Sequence, residues 1–126
     1  QSFSLSRQLI ACRHEKFHPV HALNLSRISR QIKILHPEGL VIAVDASLGQ
    51  KKHLGYVTIA DGALYPGAAV QKELPPVGDI HITGIVNIAG VLEQLTLQTT
   101  RLSTVISLAD TITQGIVNYT NSLICL

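Results

Sequence analysis

The sequence predicts a layered α/β sandwich with a mostly parallel or mixed sheet. Three apolar runs of strand length point there, Leu40–Val44, Tyr56–Ala60 and Ile80–Val86. Helical apolar spacing before the first run and after the last supplies the layers that cover such a sheet.

Taken in chain order, Leu5 to Arg13 is spaced as a short helix, and His18–Leu23 reads as extended because Pro19 biases its predecessor away from helix. Ser26 is placed to cap a helix over residues 27 to 36, which Pro37-Glu38-Gly39 ends. Leu40–Val44 is unbroken and β-branched, the pattern of a strand buried on both faces, and it finishes at Asp45. A loop containing Gly49, Lys51, Lys52 and Gly55 leads to the strand Tyr56–Ala60. Residues 61 to 79 carry Gly62, Pro66, Gly67, Pro75, Pro76 and Gly78, too many breakers for regular structure, and a loop of that length is usually functional. Ile80–Val86 is the third strand. From about Val91 to Leu123 the spacing is helical, with Thr99-Thr100 separating two helices.

Composition narrows the function. The chain has 126 residues, one domain over 1–126, with 46% hydrophobic and 14% charged residues, which excludes disorder through self-repulsion. A formal charge of +2 is too small a field to argue for nucleic acid, and the absence of Trp removes the best stacking platform for single strands. So few charges fit a buried subunit interface, hence a homo-oligomer. Six of the ten basic residues precede position 34, but Arg27, Arg30 and Lys33 recur among Ile28, Ile32 and Ile34 as on the wet side of an amphipathic helix. Cys12 and Cys125 are far apart and read as free thiols in a reducing compartment. No apolar run approaches the ~20 residues of a membrane span and the first residues do not form a signal peptide, so the expectation is a cytoplasmic protein with no membrane partner.

Asp45 is the leading chemical candidate. A carboxylate following a buried strand sits at the end of the sheet where ligands collect, and partial desolvation there raises its pKa toward proton transfer. The competing reading is a helix cap or a hydrogen bond to the Ser47-Leu48-Gly49 turn. His81 is second, an imidazole interrupting an apolar strand beside Asp79 and Thr83, able to ligate a metal or shuttle a proton, or else hydrogen-bonded for structure. If their strands are neighbours, Asp45 and His81 form an acid/base pair or two-thirds of a site for a divalent metal. His18, His21, His36 and His53 lack ligand spacing. Gly67 reads as a turn former, and Lys72 as a substrate contact or a solvated side chain. Ser47 lacks the glycines of a nucleophile elbow, and no phosphate loop is present.

The runs Val41–Gly49 and Pro66–Asn87, above all Leu74–Asn87, resemble the YyaC-type sporulation proteins, described as spore proteases. Pro19–Leu25 and Leu97–Leu102 fit the same family, so the resemblance extends over most of Pro19–Ile116. That family is similar to the germination protease and to the hydrogenase maturation proteases. The resemblance implies a three-layer α/β/α, phosphorylase/hydrolase-like fold and a peptide or protein substrate in the forespore or mother cell. It also implies Asp45 as one of two catalytic carboxylates, Asp79 and His81 as further catalytic candidates, and a nickel-type metal held by Asp45 with His81. Gly67, Lys72, Thr83 and Asn87 are the matching candidates for substrate contact.

The departures are specific. The family opens with a strand and an acidic segment supplying the first carboxylate, for which only Ser2–Arg7 stands here, with Phe3 in the aspartate's place. Ser47 replaces a usual Cys and Ala69 a usual Gly. A degenerate gene product, a truncated piece and a stretch omitted from the sequence all remain open. The expectation is therefore a peptidase-type protein, incomplete or inactive in this chain, or a non-catalytic sporulation regulator or binding protein that keeps the fold.

Overall fold

The computed structural model describes residues 20–67, 74–90 and 93–124. The expected Leu5–Arg13 helix, Lys72 and both cysteines lie outside them. Helix α1 (Leu25–Leu35) is followed by strand β1 (Ile42–Gly49), a single 3₁₀ turn at Lys51–His53, β2 (Val57–Asp61), β3 (Ile80–Ile88), α2 (Glu93–Gln98) and α3 (Leu102–Ile124).

Helix α1 begins earlier than the Ser26 cap predicts. The Asn24 and Leu25 amides both donate to His21 O at 3.0 Å, so a turn at residues 21–24 already points the chain into the helix. The Asn24 side chain closes that turn, its Oδ1 accepting from His21 N at 2.8 Å. Leu25 is buried while Arg27 and Arg30 are exposed, and Lys33 complements the negative end of the helix in its last turn. Pro37 and Gly39 then stop the helix as expected, with Gly39 N donating to His36 O.

The sheet is three-stranded, ordered β1-β3-β2, with β1 parallel and β2 antiparallel to β3. It is mixed, as the sequence predicts. Two details of β1 are corrected. The strand does not finish at Asp45: Ala46, Ser47, Leu48 and Gly49 pair onward with Gly84, Ile85, Asn87 and Ile88, which puts Asp45 in mid-strand. Nor is it buried on both faces, since Ala43 is 8% exposed but Val44 is 51% exposed. The cause is position: β1 is the outer strand, and the helix that covers the sheet runs over β3. An apolar run reports only that a strand tolerates burial.

Side chains alternate across a sheet, so the register sorts them by face. One face holds Val44, Ile82 and Ile59 in a row and then Ala46, Gly84 and Val57. Helix α3 packs here, for a Cβ on Gly84 would lie 3.3–3.4 Å from Leu108 Cδ1 and Cβ. The missing side chain on Gly84 is what lets helix and central strand approach. Beyond the irregularity at Ser47/Leu48, Asn87 comes to this same face and holds α2, its Nδ2 donating to Thr96 O and Thr100 Oγ1 at 3.3 Å. The α2–α3 break falls at Thr99-Thr100, as predicted.

The core is thin. Leu25, Ala43, Ile82, Ile85, Val86, Leu108 and Ile112 are buried, and no large side chain among the described residues is completely enclosed. Helix α3 explains part of this. Leu108 and Ile112 face the sheet, while Leu102, Ile106 and Val117, which fall on other sides of the helix, are exposed. Despite its 23 residues, no helix among the described residues is long and apolar enough to cross a membrane.

The described parts of the expected loop, residues 62–67 and 74–79, are joined by a bridge between Leu64 and Val77. Gly78 carries φ +90°, and a Cβ there would lie 3.0 Å from both Ala43 Cβ and Ile80 O, so conformation and space both demand glycine.

Candidate active site

The face of the sheet away from α3 carries the polar residues. Asp45, Thr83 and Thr58 stand in one cross-strand row, and Ala43, His81 and Ala60 in the next. The hydroxyls of Thr58 and Thr83 are hydrogen-bonded across β2 and β3, which places both on that face. β1 and β3 are neighbours, so Asp45 and His81 are diagonal partners. A strand spacing of about 4.8 Å and a rise of about 3.3 Å per residue put their backbones on the order of 8 Å apart. Long side chains or one water can close that gap.

Asp45 Oδ1 accepts a hydrogen bond from Ala46 N at 2.8 Å. Desolvation raises the pKa of the carboxyl above its ordinary 3.8, and the Ala46 hydrogen bond opposes this with a smaller effect. The residue nevertheless keeps an exposed surface, so solvent screening limits what the shift contributes to stability. The sequence predicted a desolvated carboxylate and, as the alternative, one bonded to the following turn. The desolvation is present, whereas the bond goes to Ala46 N and not to a turn, because Ser47, Leu48 and Gly49 are strand residues paired with β3.

His81 is half-buried, and its Nδ1 lies 3.0 Å from Gly62 O. A carbonyl only accepts, so Nδ1 carries the proton and the lone pair of the neutral ring is on Nε2. Gly62 can present its carbonyl because it takes φ +94° and donates its own N–H to Asp79 O at 2.8 Å. The ring is thus oriented by the start of the long loop. Sequence reading missed Gly62 and Thr58. Gly62 was visible only as a breaker, and Thr58 reaches Thr83 through an antiparallel register set by tertiary structure.

Asp79 is engaged differently. Its Oδ2 accepts from Val41 N at 2.9 Å, its own N–H donates to Val41 O at 2.8 Å, and its carbonyl receives Gly62. This residue joins the start of β1 to the start of β3. Replacing Asp79 by Ala is expected to lower stability by about 1 kcal/mol in urea denaturation, without the specific loss of hydrolysis that removing a reacting group produces. Gly67 has φ +75°, consistent with a turn former. Asn87 is occupied in holding α2, on the opposite face from Asp45. Among the described residues no group of three His, Cys, Asp or Glu side chains is disposed to hold a metal ion. Asp45 and His81 supply two donors where a bound metal needs three or four, so the described residues by themselves do not complete a site for a divalent ion.

The profile of the DUF1256 family, described as "Protein of unknown function (DUF1256)", matches residues 17–115. The chain belongs to that family. It is also 50% identical over 98 residues to the uncharacterized protein YyaC of Bacillus subtilis (strain 168), a match covering 78% of this chain and 48% of the relative. The chain therefore spans about half the length of the curated relative it matches. The likeness to YyaC-type proteins read from Leu74–Asn87 holds at the level of family. No solved structure matches the chain.

Proposed function

We propose that this chain carries part of the acid–base centre of a peptidase-type hydrolase acting in sporulation, with Asp45 activating water and His81 as its partner. The observation that supports this best is the shared sheet face: a desolvated carboxyl and an imidazole with its Nε2 lone pair free stand diagonally on neighbouring strands. In this reading the Asp45 carboxylate takes a proton from water as the oxygen attacks the peptide carbonyl. The protonated carboxyl, favoured by its desolvation, then returns that proton to the departing amine. His81 hydrogen-bonds the attacking water through Nε2 and holds it in line. The three-layer α/β/α form and the likeness to germination and hydrogenase maturation proteases belong to the same proposal.

A second reading, a binding protein that keeps the fold, is favoured by one observation. The two-carboxylate mechanism needs a second acid, and Asp79 Oδ2 already accepts from Val41 N. Incubating the chain with unfolded casein between pH 5 and 8, and following new termini by mass spectrometry, separates the two. Cleavage that falls about a hundredfold in His81→Gln supports the hydrolase. Intact casein throughout that range supports the binding protein.

A further inference from the structure

We propose that the outer edge of β1 captures an extended stretch of the polypeptide substrate by backbone pairing at Ile42 and Val44 and presents it to Asp45; this rests on the hydrolase reading above. The direction of the backbone groups carries the argument. Val41 O accepts from Asp79 N and Ile80 N, and Gly49 O accepts from Ala89 N. Odd-numbered residues of β1 therefore turn their N–H and C=O toward β3. Ile42, Val44, Ala46 and Leu48 turn theirs outward, where the order β1-β3-β2 places no strand among the described residues.

The outward positions are not alike. Ala46 N donates to Asp45 Oδ1 at 2.8 Å, and Leu48 O accepts from Ser47 Oγ at 3.2 Å. Side chains of the strand itself thus satisfy groups along its second half. At Ile42 and Val44 the outward groups have no hydrogen-bond partner among the described residues. A strand added there pairs along Ile42–Val44 and loses its ladder at Ala46, beside the Asp45 carboxyl, which the Ala46 bond holds at the same rim. Edge pairing selects conformation rather than sequence, since main-chain groups supply the affinity. Val44 at 51% and Leu40 at 65% exposure add apolar contact for alternate side chains of the guest. The substrate class is an unfolded or extended segment bearing apolar side chains, not a helix or a closed surface.

The test uses a fluorescein-labelled nonapeptide of alternating Val and Thr with terminal lysines, titrated by anisotropy against the Asp45→Asn chain, which cannot consume it. Two further peptides carry N-methyl groups on one or the other alternate set of amides. One methylated set is expected to weaken binding about tenfold and the other to leave it unchanged, because only one edge of the guest pairs. Val44→Pro removes an outward N–H and no bond to β3, and is expected to weaken binding similarly; should that variant not fold, the methylated peptides decide with β1 unaltered. Equal affinity for all three peptides overturns the proposal, as does a dimer at assay concentration in which the Val44 amide is already protected from exchange, for then a second copy holds the edge. Peptide that binds with this pattern but is never cut by the unsubstituted chain removes the hydrolase reading and leaves the capture edge. Cleavage indifferent to N-methylation does the reverse.

Discussion

Asp45→Asn is expected to reduce hydrolysis at least a hundredfold while leaving the thermal midpoint at pH 7 unchanged or raised. The loss follows from the chemistry, because an amide cannot take the proton of the attacking water, and general acid–base help contributes about 10²–10⁴-fold. The stability follows from linkage. Desolvation raises the Asp45 pKa above 3.8 in the folded state, so the folded protein holds this proton more tightly than the unfolded chain. The stability the group contributes is fully present below pH 3.8 and is lost as pH rises through the raised value. At pH 7 the ionised carboxylate is the disfavoured form. Asparagine is neutral at every pH and its Oδ1 can still accept from Ala46 N, so the variant escapes the penalty. Melting curves at pH 3 and pH 7 check the sign, since any advantage of the variant shrinks on acidification. A variant that melts well below the unsubstituted chain at pH 7 marks Asp45 as structural, and undiminished cleavage removes it from the mechanism.

That residue also shows how far sequence alone reaches. Its partial desolvation was legible from the apolar residues before it, but its place in mid-strand was not. Ala46-Ser47-Leu48-Gly49 reads as a turn because Ser and Gly are breakers, and only pairing with β3 makes these residues a strand. Tertiary context overrides propensity in this way wherever a neighbour supplies the hydrogen bonds. The helices were easier: α1 and α3 carry their period locally, and Thr99-Thr100 marks its own break. The Asp45–His81 pairing lay between these cases. Both residues could be nominated, but their adjacency depends on β3 lying between β1 and β2 and parallel to β1. Nothing local to either strand encodes that. Asp79, also nominated for chemistry, has one carboxylate oxygen on Val41 N, a contact that its place in the sequence does not disclose.

The largest stability effect is expected from Leu108→Ala, a loss of about 2–3 kcal/mol. Leu108 is 7% exposed and rests on Gly84 of the central strand, so truncation opens a space between α3 and the sheet. A protein whose total stability is about 5–15 kcal/mol loses a sizeable fraction by that change, and the thin core offers few other contacts to compensate. Leu102→Ala on the same helix is the control: Leu102 is 71% exposed, and its truncation is expected to stay within about 0.5 kcal/mol. Helix propensity cannot separate the two, because both exchange Leu for Ala in α3, although Leu102 begins the helix and Leu108 lies inside it. Urea midpoints of the pair therefore isolate packing on the sheet. Gly84→Val approaches the same contact from the other side by crowding Leu108, and is expected to destabilise by about 1–3 kcal/mol. If Leu102→Ala proves as damaging as Leu108→Ala, the exposed arc of α3 is covered in solution, and the helix is held by more than the strand beneath it.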